Sequence, residues 1–242
     1  MIYTVISFSS EREKEDFSAI KPYICFDEAA SFSQSIIHPT EELLSFIESK
    51  NAPHKMDRIC AYTTLLCSLK LFFGIDDAVI ERSIDGKPHL VGYENIHFSI
   101  SHHDGIIAVC LSDEGEVGVD VQGNIRESVE KRLRERFLSF SLASDCRVNN
   151  GDEINYFFCN FNGETALFSP FDPPQADLDN TTSMWVIFES LIKLDGRGFG
   201  ATSEVENIFS CAEVNVKSLP LKNRQCYFAT SVYKKNKKTV LC

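Results

Sequence analysis

The run Ile106–Leu111 is apolar without a break, and it constrains the fold more than any other feature of this chain. A strand that alternates polar and apolar residues can leave one face in water, but an unbroken apolar strand has to be covered on both faces. Its neighbours also read as strands. Ile96, Phe98 and Ile100 alternate with His97, Ser99 and Ser101, and Val117, Val119 and Val121 alternate with Gly118, Asp120 and Gln122. The polar segment Asp113–Glu116 makes a turn between the last two runs. A period of two sets Asp120 and Gln122 on one polar face, pointing together.

Helical patterns accompany these strands. Glu41 and Glu42 open one, with Leu43, Phe46 and Ile47 as its apolar stripe. A second starts near Asp57, carries Ile59, Tyr62, Leu66, Leu69 and Phe73 near 3.6 spacing, and stops at Gly74. A third, Glu127–Phe140, turns Val129, Leu133, Phe137 and Phe140 inward and Lys131, Arg132, Arg134 and Arg136 outward. The last takes cap oxygens from Thr181–Ser183 and ends at Gly196, with Glu189 and Lys193 one turn apart. Tyr156–Phe161 and Glu164–Phe168 read as a hairpin around Asn162-Gly163, and Pro170–Ser183 as a loop. The C-terminal part is β: Ala212–Val216 and Gln225–Tyr233, then a basic turn Lys234–Lys238 and Thr239–Leu241.

Composition narrows the class. Lys+Arg 24 against Asp+Glu 35 gives 24 − 35 = −11, which argues against a nucleic-acid binder that relies on phosphate attraction. Nine cysteines, an odd number without a CxxC pair, fit reduced thiols in a cytoplasmic protein. Met1–Phe8 lacks a basic leader and reads as a strand, and Ile59–Ile75 is too polar to span a bilayer.

Four segments stand in order: Gly86-Lys87-Pro88; Phe98-Ser99-Ile100-Ser101-His102; Gly118-Val119-Asp120-Val121; and Trp185–Ser190 with Glu189, followed by Lys193 and Gly196-Arg197-Gly198. In this order and spacing, from about Lys55 to the C-terminus, the set resembles the surfactin-type (Sfp-type) 4'-phosphopantetheinyl transferase family. The resemblance implies an α+β fold of two similar halves, residues 1–114 and 115–242, related by a pseudo-twofold axis with a ligand cleft between them. The second half carries an inserted segment near 146–179. It implies Mg2+-dependent transfer of the phosphopantetheine arm of coenzyme A to a serine of an acyl or peptidyl carrier protein by a cytoplasmic monomer. By the same resemblance Asp120 and Glu189 match metal ligands, and Glu189 also matches the base for the serine. Lys193 matches a lysine on the coenzyme phosphates. Lys87 and Pro88 match the adenine-side wall, Ser101 and His102 the nucleotide, and Arg58 the 3'-phosphate. The basic helix face Lys131, Arg132, Arg134 and Arg136 is the expected carrier dock.

The chain departs from the family pattern at three points. Gln122 stands where a second strand carboxylate is common, Phe188 where a lysine precedes the helix glutamate, and His103 where a serine follows the histidine. Two other readings follow from the residues: a non-catalytic module that binds coenzyme A or carrier protein, and a metal hydrolase built on His97, His102, His103 and Asp104. Strand alternation opposes the second, because it sets His102 on the face opposite His97 and His103.

Overall fold

The computed structural model describes residues 1–9, 19, 21–23, 30–32, 37, 39–48, 55–137, 153–161, 165–222 and 224–234. Within them the fold is mixed α+β. Strand β1 (Ile2–Phe8) lies inside a six-stranded sheet with β2 (Ala30–Phe32), β5 (His97–His103), β6 (Ile106–Ser112), β8 (Glu153–Phe161) and β9 (Thr165–Pro170). The order is β2-β9-β8-β1-β6-β5, with β1 and β8 parallel and the other neighbours antiparallel. A three-stranded antiparallel sheet follows the order β10 (Ala212–Leu221), β11 (Arg224–Tyr233), β7 (Val117–Gly123). Two short strands, β3 (Ile80–Arg82) and β4 (Pro88–Leu90), form a hairpin of their own.

Both faces of β6 are covered, as its unbroken apolar run demands. Ile107, Val109 and Leu111 pack with Leu65 and Leu69 of helix α2 (Lys55–Phe73) and with Leu43 and Ile47 of α1 (Glu41–Glu48). Ile106, Ala108 and Cys110 pack on Val117, Val119 and Val121 of the second sheet. Each such side chain, fully buried, contributes about 1.5–3 kcal/mol, so β6 binds the layers together. The far side of the second sheet is covered by α4 (Thr181–Asp195), whose Val186, Leu191 and Leu194 meet Val214, Val216 and Ala229.

Strand β7 is an edge strand, and its outward amides are met by side chains instead of a neighbouring ladder. Val119 N–H donates to Ser99 Oγ at 3.1 Å and Val121 N–H to Ser101 Oγ at 3.3 Å. The serines of β5 thus join the two sheets along the line where Asp120 sits. On the other face Gly118 lets α4 come close. A Cβ there would stand 1.9 Å from Ser190 O and 2.7 Å from Leu194 N, so only glycine permits this helix–strand contact.

Part of the segment read as an insertion, strands β8 and β9, joins the first sheet. Glu153 fastens it to both sheets by accepting from Thr4 Oγ1 (2.9 Å), Thr230 Oγ1 (2.8 Å) and Asn215 Nδ2 (3.0 Å). The cap of α4 differs from expectation. Asn180 accepts from Thr182 N–H and Ser183 N–H, while Thr181–Ser183 already belong to the helix. The end is as expected: Gly196 takes φ 89° and donates to Ile192 O. A 3-10 segment (Gly198–Glu204) and helix α5 (Val205–Cys211) follow, neither of which the periodicity announced. Helix α3 runs Glu127–Arg136. Residues 138–140, the Asn162-Gly163 turn and the basic turn and strand expected beyond Lys234 lie outside the described residues. Among the described residues no helix is long and apolar enough to cross a membrane.

Candidate functional site

Asp120 is the best-buried charged group of the motif set, 2% exposed on β7. Its Oδ1 accepts from Lys193 Nζ at 2.7 Å and from Ser101 Oγ at 2.7 Å. Ser101, Asp120 and Lys193 therefore come together from β5, β7 and α4, elements that Gly118 and the serine–amide bonds hold at this spacing. Asp120 Oδ2 is buried with no amide, ammonium or alcohol donor among the described residues. Glu189 stands beside it, within hydrogen-bond reach of the Asp120 carboxyl. Burial first, and the negative charge of Asp120 second, push the Glu189 carboxyl up to about 7, with Lys193 pulling the other way. A carboxyl pair of this kind is satisfied by a shared proton or by a cation.

That orphaned oxygen, and the paired carboxyl groups around it, fit a hard divalent ion. Such ions take oxygen ligands and are commonly held by one or two carboxylates plus substrate phosphates. Gln122, half-buried, lies on the same face of β7 as Asp120. No group of three or more His, Cys, Asp or Glu capable of holding a metal occurs among the described residues, which leaves Asp120 and Glu189 as the carboxylates that could hold one.

Lys193 also lines a cleft of about 340 Å³, and there the remaining candidates meet. Arg58, Lys87, Pro88 and His102 share its wall with Tyr62, Arg82, Asp85, Phe98, Gly196 and Gly198. The helix α2, the β3–β4 hairpin and β5 supply one side, and the end of α4 the other. Cationic side chains outnumber Asp85 along this wall, as an anionic ligand requires. Ser101 stands behind the wall on Asp120.

Arg82 and Tyr62 escaped the sequence reading. Tyr62 fell in the apolar stripe of α2, and no motif holds Arg82. Burial raises the Tyr62 phenol, while the charges of Arg82 and Arg58 draw it part of the way back, so both guanidinium groups lie near its hydroxyl. Arg82 Nη1 donates to Gly86 O at 2.8 Å and Arg58 Nη1 to Ile47 O at 3.4 Å.

Lys87 takes part differently from expectation. Its stem lines the cleft, but its ammonium bonds Glu116 Oε2 at 2.5 Å and Leu194 O at 3.3 Å. Of the basic face on α3, Arg132 and Arg136 are exposed. Arg134 is turned onto Glu130 (3.2 Å) and Asp179 O (3.1 Å), and Lys131 stands 3.9 Å from Glu135. The histidine cluster does not converge: His97 contacts Glu116, Asp104 bonds Arg224, and His102 lines the cleft.

This chain is similar to a 4'-phosphopantetheinyl transferase. Over 174 residues, 70% of the chain, it is 23% identical to the 4'-phosphopantetheinyl transferase of Bacillus subtilis, and the match spans 66% of that relative's length. No family model matches.

Proposed function

We propose that this protein transfers the 4'-phosphopantetheine arm of coenzyme A to a serine hydroxyl of an acyl or peptidyl carrier protein, as a surfactin-type enzyme. The observation that carries this reading is buried Asp120 paired with half-buried Glu189 and joined through Lys193 to a cleft lined by arginine, lysine and histidine. Asp120 and Glu189 would hold Mg2+, with Gln122 adding an amide oxygen at most. Bound there, the ion would neutralise charge on the diphosphate.

The residues divide the remaining work. Arg58, Arg82 and His102 would receive the phosphorylated adenosine end, beside the Lys87-Pro88 turn. Lys193 lies between the carboxylates and the cleft and would face the diphosphate, where charge neutralisation and alignment matter more than covalent catalysis. Glu189 would also take the proton from the carrier serine hydroxyl. The serine oxygen then bonds the β-phosphorus, the bond from that phosphorus to the bridging oxygen breaks, and 3',5'-ADP leaves with the electron pair. In this reading the cleft falls between two halves of the chain, with Arg58, Lys87 and His102 on the first and Lys193 and Gly196 on the second. The exposed Arg132 and Arg136 would meet an acidic carrier.

One observation favours a second reading, a module that binds coenzyme A without transfer: Gln122 stands where a further carboxylate is common. Mass spectrometry of an apo carrier protein incubated with coenzyme A, Mg2+ and this protein separates the two. The enzyme adds a phosphopantetheine mass to the carrier. Coenzyme A binding without that mass assigns the module instead.

A further inference from the structure

Lys87 leaves the β3–β4 turn and crosses to the far side of the cleft. Its Cδ would lie 3.1 Å from a Cβ at Gly196, so the bare backbone of Gly196 gives the stem its passage over the end of α4. Beyond that point the ammonium reaches Glu116 Oε2 at 2.5 Å and the Leu194 carbonyl at 3.3 Å. His97 Nδ1 contacts the other oxygen, Glu116 Oε1, at 3.1 Å. Lys87, His97, Glu116 and Gly196 wall a second cavity of about 310 Å³ that shares Asp85, Lys87, Pro88, Phe98 and Gly196 with the first cleft. The Lys87 side chain thus forms part of the partition between two cavities, with its charge drawn to an acid that lines only the second. Burial alone would raise the Glu116 carboxyl, but Lys87 and His97 outweigh it and hold the group below the usual carboxylate range.

We propose that Glu116 is a positioning residue that sets the cleft's affinity for its anionic ligand, because Glu116 and the ligand's phosphate compete for the one Lys87 ammonium. This rests on the proposed coenzyme A reading of the cleft. A lysine has a flexible stem and rotatable donors, so it can exchange one anion for another without moving the backbone. When it does, Glu116 keeps His97 as its partner, so the displaced carboxylate is not stranded.

The test is calorimetric titration of the full chain with adenosine 3',5'-bisphosphate at fixed pH and ionic strength. Glu116→Gln keeps size and shape but removes the charge. It should bind the bisphosphate roughly fivefold more tightly than wild type, the upper range for a partly exposed ion pair. Glu116→Ala, which removes the acceptor, should tighten binding at least as much. Lys87→Met should weaken binding, and adding Glu116→Gln to it should change nothing further. Unchanged or weaker binding in both Glu116 variants would overturn the proposal. So would an equal gain in the Lys87→Met background, which would reveal general charge repulsion rather than competition for the lysine. If wild type and both Glu116 variants fail to bind the bisphosphate, the coenzyme reading falls and this proposal with it; binding by wild type alone leaves that reading standing.

Discussion

Glu189 makes the stability of the metal-free protein fall as pH rises. Its carboxyl moves from an ordinary 4.5 to about 7 in the folded chain, chiefly through burial and the charge of Asp120. Between these values the folded protein keeps a proton that the unfolded chain has released, so stability drops with increasing pH. A span of about 2.5 on the pH scale at 1.36 kcal/mol per unit gives roughly 3 kcal/mol, most of it lost between pH 5 and 7. Urea unfolding with a chelator present, at pH 5, 6, 7 and 8, measures it. Glu189→Gln carries no titrating proton at this position, and its curve should lack the decline. Adding Mg2+ to wild type at pH 8 should restore stability, because an ion that binds only the folded state shifts the equilibrium toward it. Parallel pH curves for wild type and Glu189→Gln would refute the reasoning.

Three further outcomes are expected. Arg58→Ala and His102→Ala should each weaken adenosine 3',5'-bisphosphate binding about tenfold by calorimetry, in line with a charge-assisted hydrogen bond; equal affinity would remove that residue from the phosphate end. Arg132→Glu with Arg136→Glu should raise KM for carrier several-fold at low salt and spare KM for coenzyme A, since exposed charge acts on encounter and is screened. Gln122→Glu should lower the Mg2+ concentration that half-saturates transfer, because hard cations favour charged oxygens; a lower melting point with an unmoved magnesium curve would show the new charge buried away from the ion.

The layers were legible because β6 left no choice: six apolar residues in a row need cover on both faces, and helix α2 and the second sheet provide it. The Asp120–Glu189 meeting was legible only as a motif. Nothing in either segment states that Gly118 admits α4 to within a Cβ radius of β7, which is what brings the two carboxyl groups together. The helix cap went to Asn180 because its carbonyl oxygen reaches two free amides of the first turn, while the Thr181 and Thr182 hydroxyls turn to Glu130 and Ile125 N–H. Lys87 belongs to a motif and lines the cleft, but its pairing with Glu116 spans 29 residues and no periodicity records it. Arg82 was invisible for a related reason: a charged residue on a three-residue strand carries no pattern, and only the β3–β4 hairpin brings it into the cleft beside Tyr62.

The rate of phosphopantetheine transfer in Asp120→Ala and Glu189→Gln, followed by carrier mass with saturating coenzyme A and Mg2+, tests the role of this carboxyl pair most directly. One variant removes the buried carboxylate, and the other keeps the size of Glu189 but removes its charge and its proton acceptor. Each should slow transfer at least about a hundredfold, the scale of losing an acid–base group, while the fold survives by thermal melt. Transfer at the wild-type rate in either variant would contradict the claim that this carboxyl pair is the catalytic centre.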